Sequence, residues 1–331
     1  MIVMLITLNA VISSEARNLR IAPKTIWPFE KVWLKPIANF CDFYKTILYS
    51  RAAIFGAPFM TTPEKLHAAT TFLAPHVANQ PKIGVVLGSG LGNFIDQIKD
   101  RTEIAYGDVP HFPTATIEGH SGKLIFGTLA GKPIVAMAGR FHFYEGYSAE
   151  EVAFPVRVLK GLGIETLLIS NAAGGVNPFF KVGDLMLITD HISFAVKNPL
   201  IGKNDDALGP RFPDMSEPYK KHLIQKAKTI AQQQSIELKE GVYFGVTGPT
   251  FETRAEYKLI QLLGGDAVGM STVQEVIAAA HAGLQVLAVS VISDIGIRDE
   301  ENVITHEDVL QAAKEAEPKL SLLFRELIAV L

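Results

Sequence analysis

Short apolar runs, each followed at once by glycine and polar residues, recur along the chain and restrict the folds that it can adopt. The runs at 83–87, 133–138 and 166–170 have the composition of strands buried on both faces of a sheet. Helical patterns at 149–162 and 217–233 alternate with such runs. The alternation predicts an α/β fold with a largely parallel sheet between helical layers. Because ligands bind where parallel strands end, the residues after each run are candidate site residues.

The composition excludes several classes of function. With 331 residues and 48% hydrophobic content, the chain can bury a large core in one or two domains. Its formal net charge of -3 leaves no basic surplus for nucleic acid or an anionic membrane, so a small-molecule ligand is expected. No apolar run reaches the length of a membrane-spanning helix. The single cysteine, Cys41, excludes an internal disulfide framework and a cysteine-rich metal site, and it fits a reducing, cytoplasmic location.

Residues 1–59 differ from the rest because they have no sustained periodicity of either kind. A new start follows, in which Met60 precedes a Thr61 cap, Pro63 in the first helical turn and the acidic Glu64. We therefore expect 1–59 to be an extension outside the fold, either disordered or the product of an upstream start site. Residues 60–331 are then expected to form a single domain.

The end of the run at 133–138 predicts an anion site. Gly139 and Arg140 follow that run, and His142 lies two residues further on. On extended chain, residues two apart point to the same side, so the two cationizable side chains face one ligand. The alternative is a solvated arginine beside a histidine that is satisfied in the core.

The glycine-rich segment 88–92 (GSGLG) is typical of a turn that binds phosphate. Its backbone N–H groups can close on an anion, and Ser89 adds a hydroxyl. The spacing differs from that of dinucleotide-binding turns, and Asp108 lacks the preceding strand which that interpretation requires. Further along, His120 follows Gly119 in a polar loop and either approaches a ligand or has no task.

Three later strand exits add candidates. Small residues after the run at 166–170 allow the backbone N–H of Ala172 to approach a ligand. Phe251 and Glu252 pair an aromatic face with an acceptor, as a purine or another flat heterocycle requires, although Glu252 also suits the first turn of a helix. Ser271 has capping-box spacing to Gln274, as Thr272 has to Glu275, so it is a cap, an anion ligand or both.

Six motifs together resemble the trimeric purine nucleoside phosphorylases of the branch that cleaves inosine and guanosine. They occur in family order over about 60–331, whereas residues 1–59 have no counterpart. The motifs are 88–92 (GSGLG), 119–120 (GH), 139–146 (GRFHFYEG), 171–175 (NAAGG), 248–253 (GPTFET) and 268–272 (VGMST).

The resemblance implies a single α/β domain of the nucleoside phosphorylase fold, with a mixed, partly barrel-like sheet flanked by helices. It also implies purine salvage by reversible phosphorolysis, in which a purine nucleoside and phosphate give the free base and ribose 1-phosphate or its 2-deoxy form. Phosphate is a co-substrate, and no cofactor or metal is expected. The family forms homotrimers in which a neighbouring subunit supplies a phenylalanine near the ribose, and Phe194 is the candidate here.

Roles for single residues follow from the same resemblance. Phosphate is held by Ser89, His120, Arg140, His142, the N–H of Ala172, and Ser271. The nucleoside contacts Tyr144, Gly269 and Met270 around the ribose, His306 near the 5′-hydroxyl, and Phe251, Glu252 and Asp294 around the base. Catalysis is assigned to His142, Glu252 and Asp294.

Asp294 departs from the family pattern, which has asparagine at this position. An ionised carboxylate cannot donate to the 6-oxygen of inosine or guanosine, whereas a protonated one can if its surroundings raise the pKa. Aspartate is familiar in the methylthioadenosine branch, but that branch lacks the residues matching Glu252 and His306. We therefore expect 6-oxopurines as substrates. The alternatives are a 5′-methylthioadenosine or adenosine phosphorylase and a purine-binding protein without catalysis, for which the phosphate groups would have no use.

Overall fold

Six α-helices and nine strands organise the part of the chain that the computed structural model describes, which is 60–77, 79–90, 92–114, 121–297 and 303–331. The helices are Thr62–Leu73 (α1), Ala149–Gly161 (α2), Lys221–Gln233 (α3), Arg254–Leu262 (α4), Val273–His281 (α5) and His306–Ala329 (α6). The strands are Ile83–Val86 (β1), Lys99–Ala105 (β2), Lys123–Leu129 (β3), Lys132–Ala138 (β4), Thr166–Gly175 (β5), Leu185–Ile192 (β6), Leu238–Gly245 (β7), Ala267–Gly269 (β8) and Gln285–Ile295 (β9).

The strands form one mixed sheet, part of which closes on itself. Its order is β2-β3-β4-β1-β5-β8-β7-β6-β9, and β9 also pairs in parallel with β5. Strands β5, β8, β7, β6 and β9 therefore form a closed ring, while β1 to β4 extend the sheet from β5. The predicted α/β class and the mixed, partly barrel-like sheet are confirmed.

The parallel pairs bring several strand ends to one edge. Strand β1 lies between β4 and β5 and runs parallel to both, and β9 runs parallel to β5 on the other side. Every residue of β1 is buried, as its unbroken apolar sequence predicts. The segments that follow β1 and β4 therefore meet beside the carboxyl halves of β5 and β9.

The sequence predicts strands β5 and β9 too short at their carboxyl ends. The apolar run at 166–170 predicts a strand that ends at 170, but β5 continues to Gly175, and the apolar residues 284–291 continue as strand to Ile295 in β9. Gly175 explains the difference, because a β-carbon there would lie 2.9 Å from Ile292 on the paired strand. The small residues therefore allow two strands of the ring to pack closely, as well as allowing a ligand to approach.

Helix starts follow the cap signals at some positions and not at others. Thr61 and Glu64 form the capping box of α1, and Thr305 and Asp308 form that of α6. The spacing of Thr272 and Glu275 allows a capping box before α5, but the box does not form. Thr272 adopts a φ of 70°, and its side chain makes no capping hydrogen bond. The polar groups around it form part of a candidate binding site and not a helix cap.

Residues 1–59, predicted as an extension, lie outside the described residues, whereas Met60–Leu331 form one compact unit by their contacts. Within the described ranges, no helix is both long and apolar enough to cross a membrane.

Candidate active site

A cavity of about 390 Å³ opens where the segments after β1, β4, β7 and β8 meet the carboxyl halves of β5 and β9. Its walls include the backbone of Gly88 and Gly174 as well as polar and aromatic side chains. Of the predicted site residues, it is lined by Ser89, Arg140, His142, Tyr144, Ala172, Phe251, Glu252, Gly269, Met270, Ser271, Asp294 and His306. His120 lies outside the described residues.

Arg140 is a buried cation fixed from three directions. It is 1% exposed, and its Nε donates to Glu275 of α5 over 3.1 Å. Its Nη1 donates to the carbonyl of Ser170 over 2.7 Å and to the hydroxyl of Ser271 over 3.4 Å. These bonds hold the guanidinium in one orientation, because its planar fork has to satisfy several acceptors at once. Arg140 is thus an ordered positive charge at the cavity wall rather than a solvated surface group.

His142 is oriented by the acidic residue three positions later. The carboxylate of Glu145 lies 2.8 Å from His142 Nδ1 and also accepts the backbone N–H of His142 over 2.8 Å. Because a carboxylate only accepts, Nδ1 carries the hydrogen of this bond. The imidazole stacks on the ring of Tyr144, with centroids 4.7 Å apart. Burial, and next the charge of Glu145, raise the pKa of Tyr144 to about 12.

The glycine-rich turn is held against the start of the small-residue segment of β5. Gly88 donates its N–H to the hydroxyl of Ser170 over 3.2 Å, and that hydroxyl donates to the carbonyl of Val86. A β-carbon at Gly88 would lie 2.8 Å from the Cα of Asn171, so only glycine fits this approach. The contact places Ser89 and the backbone of Ala172 on the same cavity wall.

Ser271 stands at the amino end of α5, beside the Arg140 guanidinium. The backbone N–H of Ser271 faces the Tyr243 hydroxyl at 3.4 Å, and its side chain lies 3.3 Å from the hydroxyl of Thr272. Thr272 in turn accepts from the side-chain amide of Asn171 over 2.9 Å. An arginine, hydroxyl groups and a helix amino end on one wall favour an anion there.

Tyr144 and Met270 meet on the cavity wall at Gly248. A β-carbon at Gly248 would collide with the Met270 sulfur and lie 3.0 Å from the Tyr144 ring, so both side chains pack on this glycine. His306 lies at the first residue of α6 and also lines the cavity. This wall combines an aromatic ring, a thioether and an imidazole, which suits a partly apolar ligand with hydroxyl groups.

Another part of the cavity wall carries two carboxyl groups and a phenol. Glu252, Tyr257 and Asp294 line it together with Phe251, which is 41% exposed. The Tyr257 hydroxyl lies close to both carboxyl groups, and burial together with these two charges raises the pKa of Tyr257 well above its usual range. Asp294 also approaches β5, because a β-carbon at Gly174 would lie 3.1 Å from its Oδ2.

The pKa of Glu252 is raised. Burial is the largest cause, and the charges of Asp294 and Glu256 act in the same direction. Its own backbone and the nearby Tyr257 hydroxyl oppose the shift without cancelling it. Glu252 is therefore more than the acidic first-turn residue of a helix, since its surroundings set its protonation.

Three residues of this site were missed from the sequence. Tyr257 carried a signal, since a tyrosine on the apolar face of a short helix needs a partner for its hydroxyl. The spacing of Glu275 favours a capping role, but its side chain pairs with Arg140, which precedes it by 135 positions. The sequence presents Asn171 only as part of a small-residue strand exit, but its side-chain amide donates to the Thr272 hydroxyl.

No cluster of three or more metal-ligating side chains occurs within the described residues.

Comparison with known proteins gives the family. The model described as "Phosphorylase superfamily" matches residues 82–329, which is most of the chain. This chain belongs to the phosphorylase superfamily. Purine nucleoside phosphorylase 1 of Geobacillus stearothermophilus is 51% identical over 250 residues, covering 76% of this chain and 91% of that protein.

Solved structures extend the comparison to the fold. Isoform 2 of purine nucleoside phosphorylase from Schistosoma mansoni, in complex with cytosine and ribose-1-phosphate, is 46% identical with a TM-score of 0.77, covering 81% of this chain and 96% of that chain. Purine nucleoside phosphorylase of Schistosoma mansoni in complex with inosine is 38% identical with a TM-score of 0.78, covering 82% and 98%. The predicted family and its fold are confirmed.

Proposed function

We propose that this chain catalyses the reversible phosphorolysis of purine nucleosides, preferably inosine and guanosine, in purine salvage. The observation that supports it most is one cavity lined by the buried cation Arg140, the two hydroxyl residues Ser89 and Ser271, and the acidic residue Glu252. The relatives named purine nucleoside phosphorylase, one of them in complex with inosine, support the same activity.

Phosphate is the nucleophile of the proposed reaction. Arg140, Ser89, Ser271, His142 and the N–H of Ala172 hold it beneath the sugar. A phosphate oxygen forms a bond to C1′ as the bond from C1′ to N9 breaks, and the electron pair of that bond leaves with the purine. Positive charge on the sugar is stabilised by the bound anion, so positioning and electrostatics carry the reaction. His120, outside the described residues, is assigned to the same anion by the resemblance alone.

The departing base has to be held and neutralised. Negative charge grows on the purine as the bond breaks, and a hydrogen bond or proton at N7 lowers the barrier. Glu252 accepts the N1–H of a 6-oxopurine, while Asp294 stands at N7. Phe251 covers the ring, Tyr144 and Met270 with Gly269 face the ribose, and His306 binds near the 5′-hydroxyl. No cofactor enters this scheme, and phosphate is a co-substrate.

A direct assay tests the proposal. Inosine is incubated with the full-length protein in the presence and absence of phosphate, and hypoxanthine and ribose 1-phosphate are quantified. We expect both products in equal amounts only when phosphate is present. Base release that does not depend on phosphate, or no release at all, would contradict the proposed function.

Asp294 favours a second candidate, a 5′-methylthioadenosine or adenosine phosphorylase with the same fold. An ionised carboxylate at this position suits a 6-amino group, which donates hydrogen bonds. Comparison of kcat/KM for inosine, adenosine and 5′-methylthioadenosine at saturating phosphate separates the two. We expect inosine to be the better substrate, and faster cleavage of adenosine would select the second candidate.

We also propose that the protein acts as a cytoplasmic homotrimer. Phe194 supports the assembly, since it is 72% exposed and lies edge-on to Phe244 with ring centroids 5.4 Å apart. An exposed phenylalanine on the long segment after β6 is available to reach a neighbouring subunit. Sedimentation equilibrium should give three times the monomer mass, and a monomer would exclude the assembly. The single cysteine supports the cytoplasmic location.

A further inference from the structure

Tyr257 has a fixed ring and a polar tip at the base end of the cavity. The residue is 3% exposed and lies on α4, where its ring packs in an apolar cluster with Val176, Phe244, Ile260 and Val268. A β-carbon at Gly296 would collide with this ring, so the glycine after β9 leaves the space that the ring occupies. Packing on both sides therefore sets the direction of the hydroxyl.

The hydroxyl of Tyr257 is a donor without an acceptor of ordinary hydrogen-bond geometry among the described residues. It lines the cavity and lies close to the carboxyl groups of Glu252 and Asp294. Its raised pKa keeps the hydrogen on the oxygen throughout the physiological range. A ligand that accepts from this hydroxyl gains affinity, because it gives the buried donor a well-aligned acceptor.

The edge of a 6-oxopurine matches this arrangement. On the departing base, the N1–H donates, the 6-oxygen accepts and the N7–H donates, with the oxygen between the two nitrogens. Glu252 and Asp294 supply two acceptors, and the Tyr257 hydroxyl, close to both, supplies a donor. Acceptor, donor and acceptor on the protein thus face donor, acceptor and donor on the base.

We propose that the Tyr257 hydroxyl donates a hydrogen bond to the 6-oxygen of the purine and thereby supplies the donor that an ionised Asp294 lacks. This inference rests on the proposed function and names a further residue that sets base specificity. Asp294 then has only to accept from N7–H. The two side chains divide between them the two tasks that a single amide could perform.

The test changes the Tyr257 hydroxyl and the atom at position 6 of the purine, singly and together. Tyr257→Phe and the wild-type protein are assayed for kcat/KM on inosine and on 6-thioinosine, which keeps N1–H and N7 but has a sulfur that accepts hydrogen bonds weakly. We expect the kcat/KM of the variant to be lower than that of the wild type by about tenfold or more on inosine. On 6-thioinosine, the decrease in kcat/KM should be several-fold smaller. The preference for oxygen over sulfur, which is the ratio of kcat/KM on inosine to that on 6-thioinosine, should therefore be smaller in the variant.

Tyr243→Phe is the matched control, because it removes a buried hydroxyl at the phosphate end, beside Ser271. Its preference for oxygen over sulfur should equal that of the wild type, whatever its rate. The Tm of Tyr257→Phe should change little, since the hydroxyl makes no hydrogen bond of ordinary geometry to the described residues.

Two outcomes would overturn the inference: an equal loss on both substrates, or unchanged kinetics on inosine. If the wild-type protein showed no phosphorolysis, the proposed function would be wrong, and this result would not bear on the role of Tyr257. Calorimetric affinities of both proteins for hypoxanthine and 6-mercaptopurine then decide the role of Tyr257. A preference for hypoxanthine that is smaller in the variant would support it, and an equal preference would refute it.

Discussion

At the scale of single residues, the pKa of Glu252 predicts how the activity depends on pH. Its pKa is raised by burial and by the charge of Asp294, yet it has to be ionised to accept N1–H in the proposed complex. As the pH falls through this raised pKa, the carboxylate takes up a proton and stops accepting. We therefore expect kcat/KM for inosine to fall on the acid side at a higher pH than an ordinary glutamate would cause.

The measurement is a pH profile of kcat/KM for inosine at saturating phosphate. Glu252→Gln is the control, since it keeps the shape and one acceptor oxygen without a titrating group in this range. Its acid limb should be flatter than that of the wild type, and its activity lower. If the two profiles fell in parallel, another group would be responsible for the acid limb.

Asp294 gives a second prediction at this scale. Replacement of Asp294 by asparagine should maintain or improve kcat/KM on inosine, because the amide both donates to the 6-oxygen and accepts from N7–H. The ratio of inosine to adenosine turnover should rise accordingly. Parallel assays of the two proteins on both nucleosides check this. A collapse of activity on inosine would show that the carboxyl group itself is required.

At the scale of secondary-structure elements, the ion pair of Arg140 and Glu275 connects the segment after β4 to α5. Both side chains are almost completely buried, and their N–O distance is 3.1 Å. Glu275→Gln removes the negative charge and leaves a buried guanidinium less compensated, which costs on the order of 3 kcal/mol. We expect the Tm without phosphate to fall by several degrees, and added phosphate to narrow the gap by placing an anion beside Arg140.

A surface pair gives the matched control for that experiment. Lys82 and Glu165 lie 2.7 Å apart, but both side chains are 59% exposed. Exposed pairs contribute about 0–1 kcal/mol, so Glu165→Gln should leave the Tm almost unchanged with and without phosphate. Thermal unfolding of both variants at several phosphate concentrations distinguishes the pairs. Equal shifts in both would contradict the special role of the buried one.

The elements also show what sequence patterns can and cannot predict. Apolar runs predict the cores of β1 and β4, and a local cap predicts where α1 begins, since both signals arise within a few residues. Glu275 illustrates the opposite case. Its spacing from Thr272 has the form of a capping box, but the stronger interaction is with an arginine that only the fold brings near.

At the scale of the whole molecule, the closed ring of strands is the feature that periodicity alone did not predict. Alternating strands and helices favour an open parallel sheet, whereas closure depends on β5 pairing with β8 and β9 at once. Glycines in the second half of β5 allow these strands to approach closely. In the sequence, however, the same glycines have the pattern of a loop. The ordered motifs, through their family resemblance, supplied what periodicity could not.

The cavity residues, in contrast, were largely predictable because most of them follow strands directly. Arg140 and Ser271 lie just after β4 and β8, where a sheet edge is expected to bind a ligand. Tyr257 was missed because it comes from a helix face, where a tyrosine is expected to be a core residue. Its role depends on which carboxyl groups the fold places around its hydroxyl.

The last prediction concerns residues 60–331 as an independent unit. The described residues that line the cavity lie in this range, and its first helix begins with its own capping box at Thr61 and Glu64. A protein consisting of 60–331 should therefore fold and cleave inosine with a kcat/KM within about twofold of the full-length chain, since no assigned catalytic contact is removed. Side-by-side assays, with the Tm of each, test this. An unfolded or inactive protein would show that 1–59 contribute to the fold or the site, and the proposed domain boundary would then be wrong.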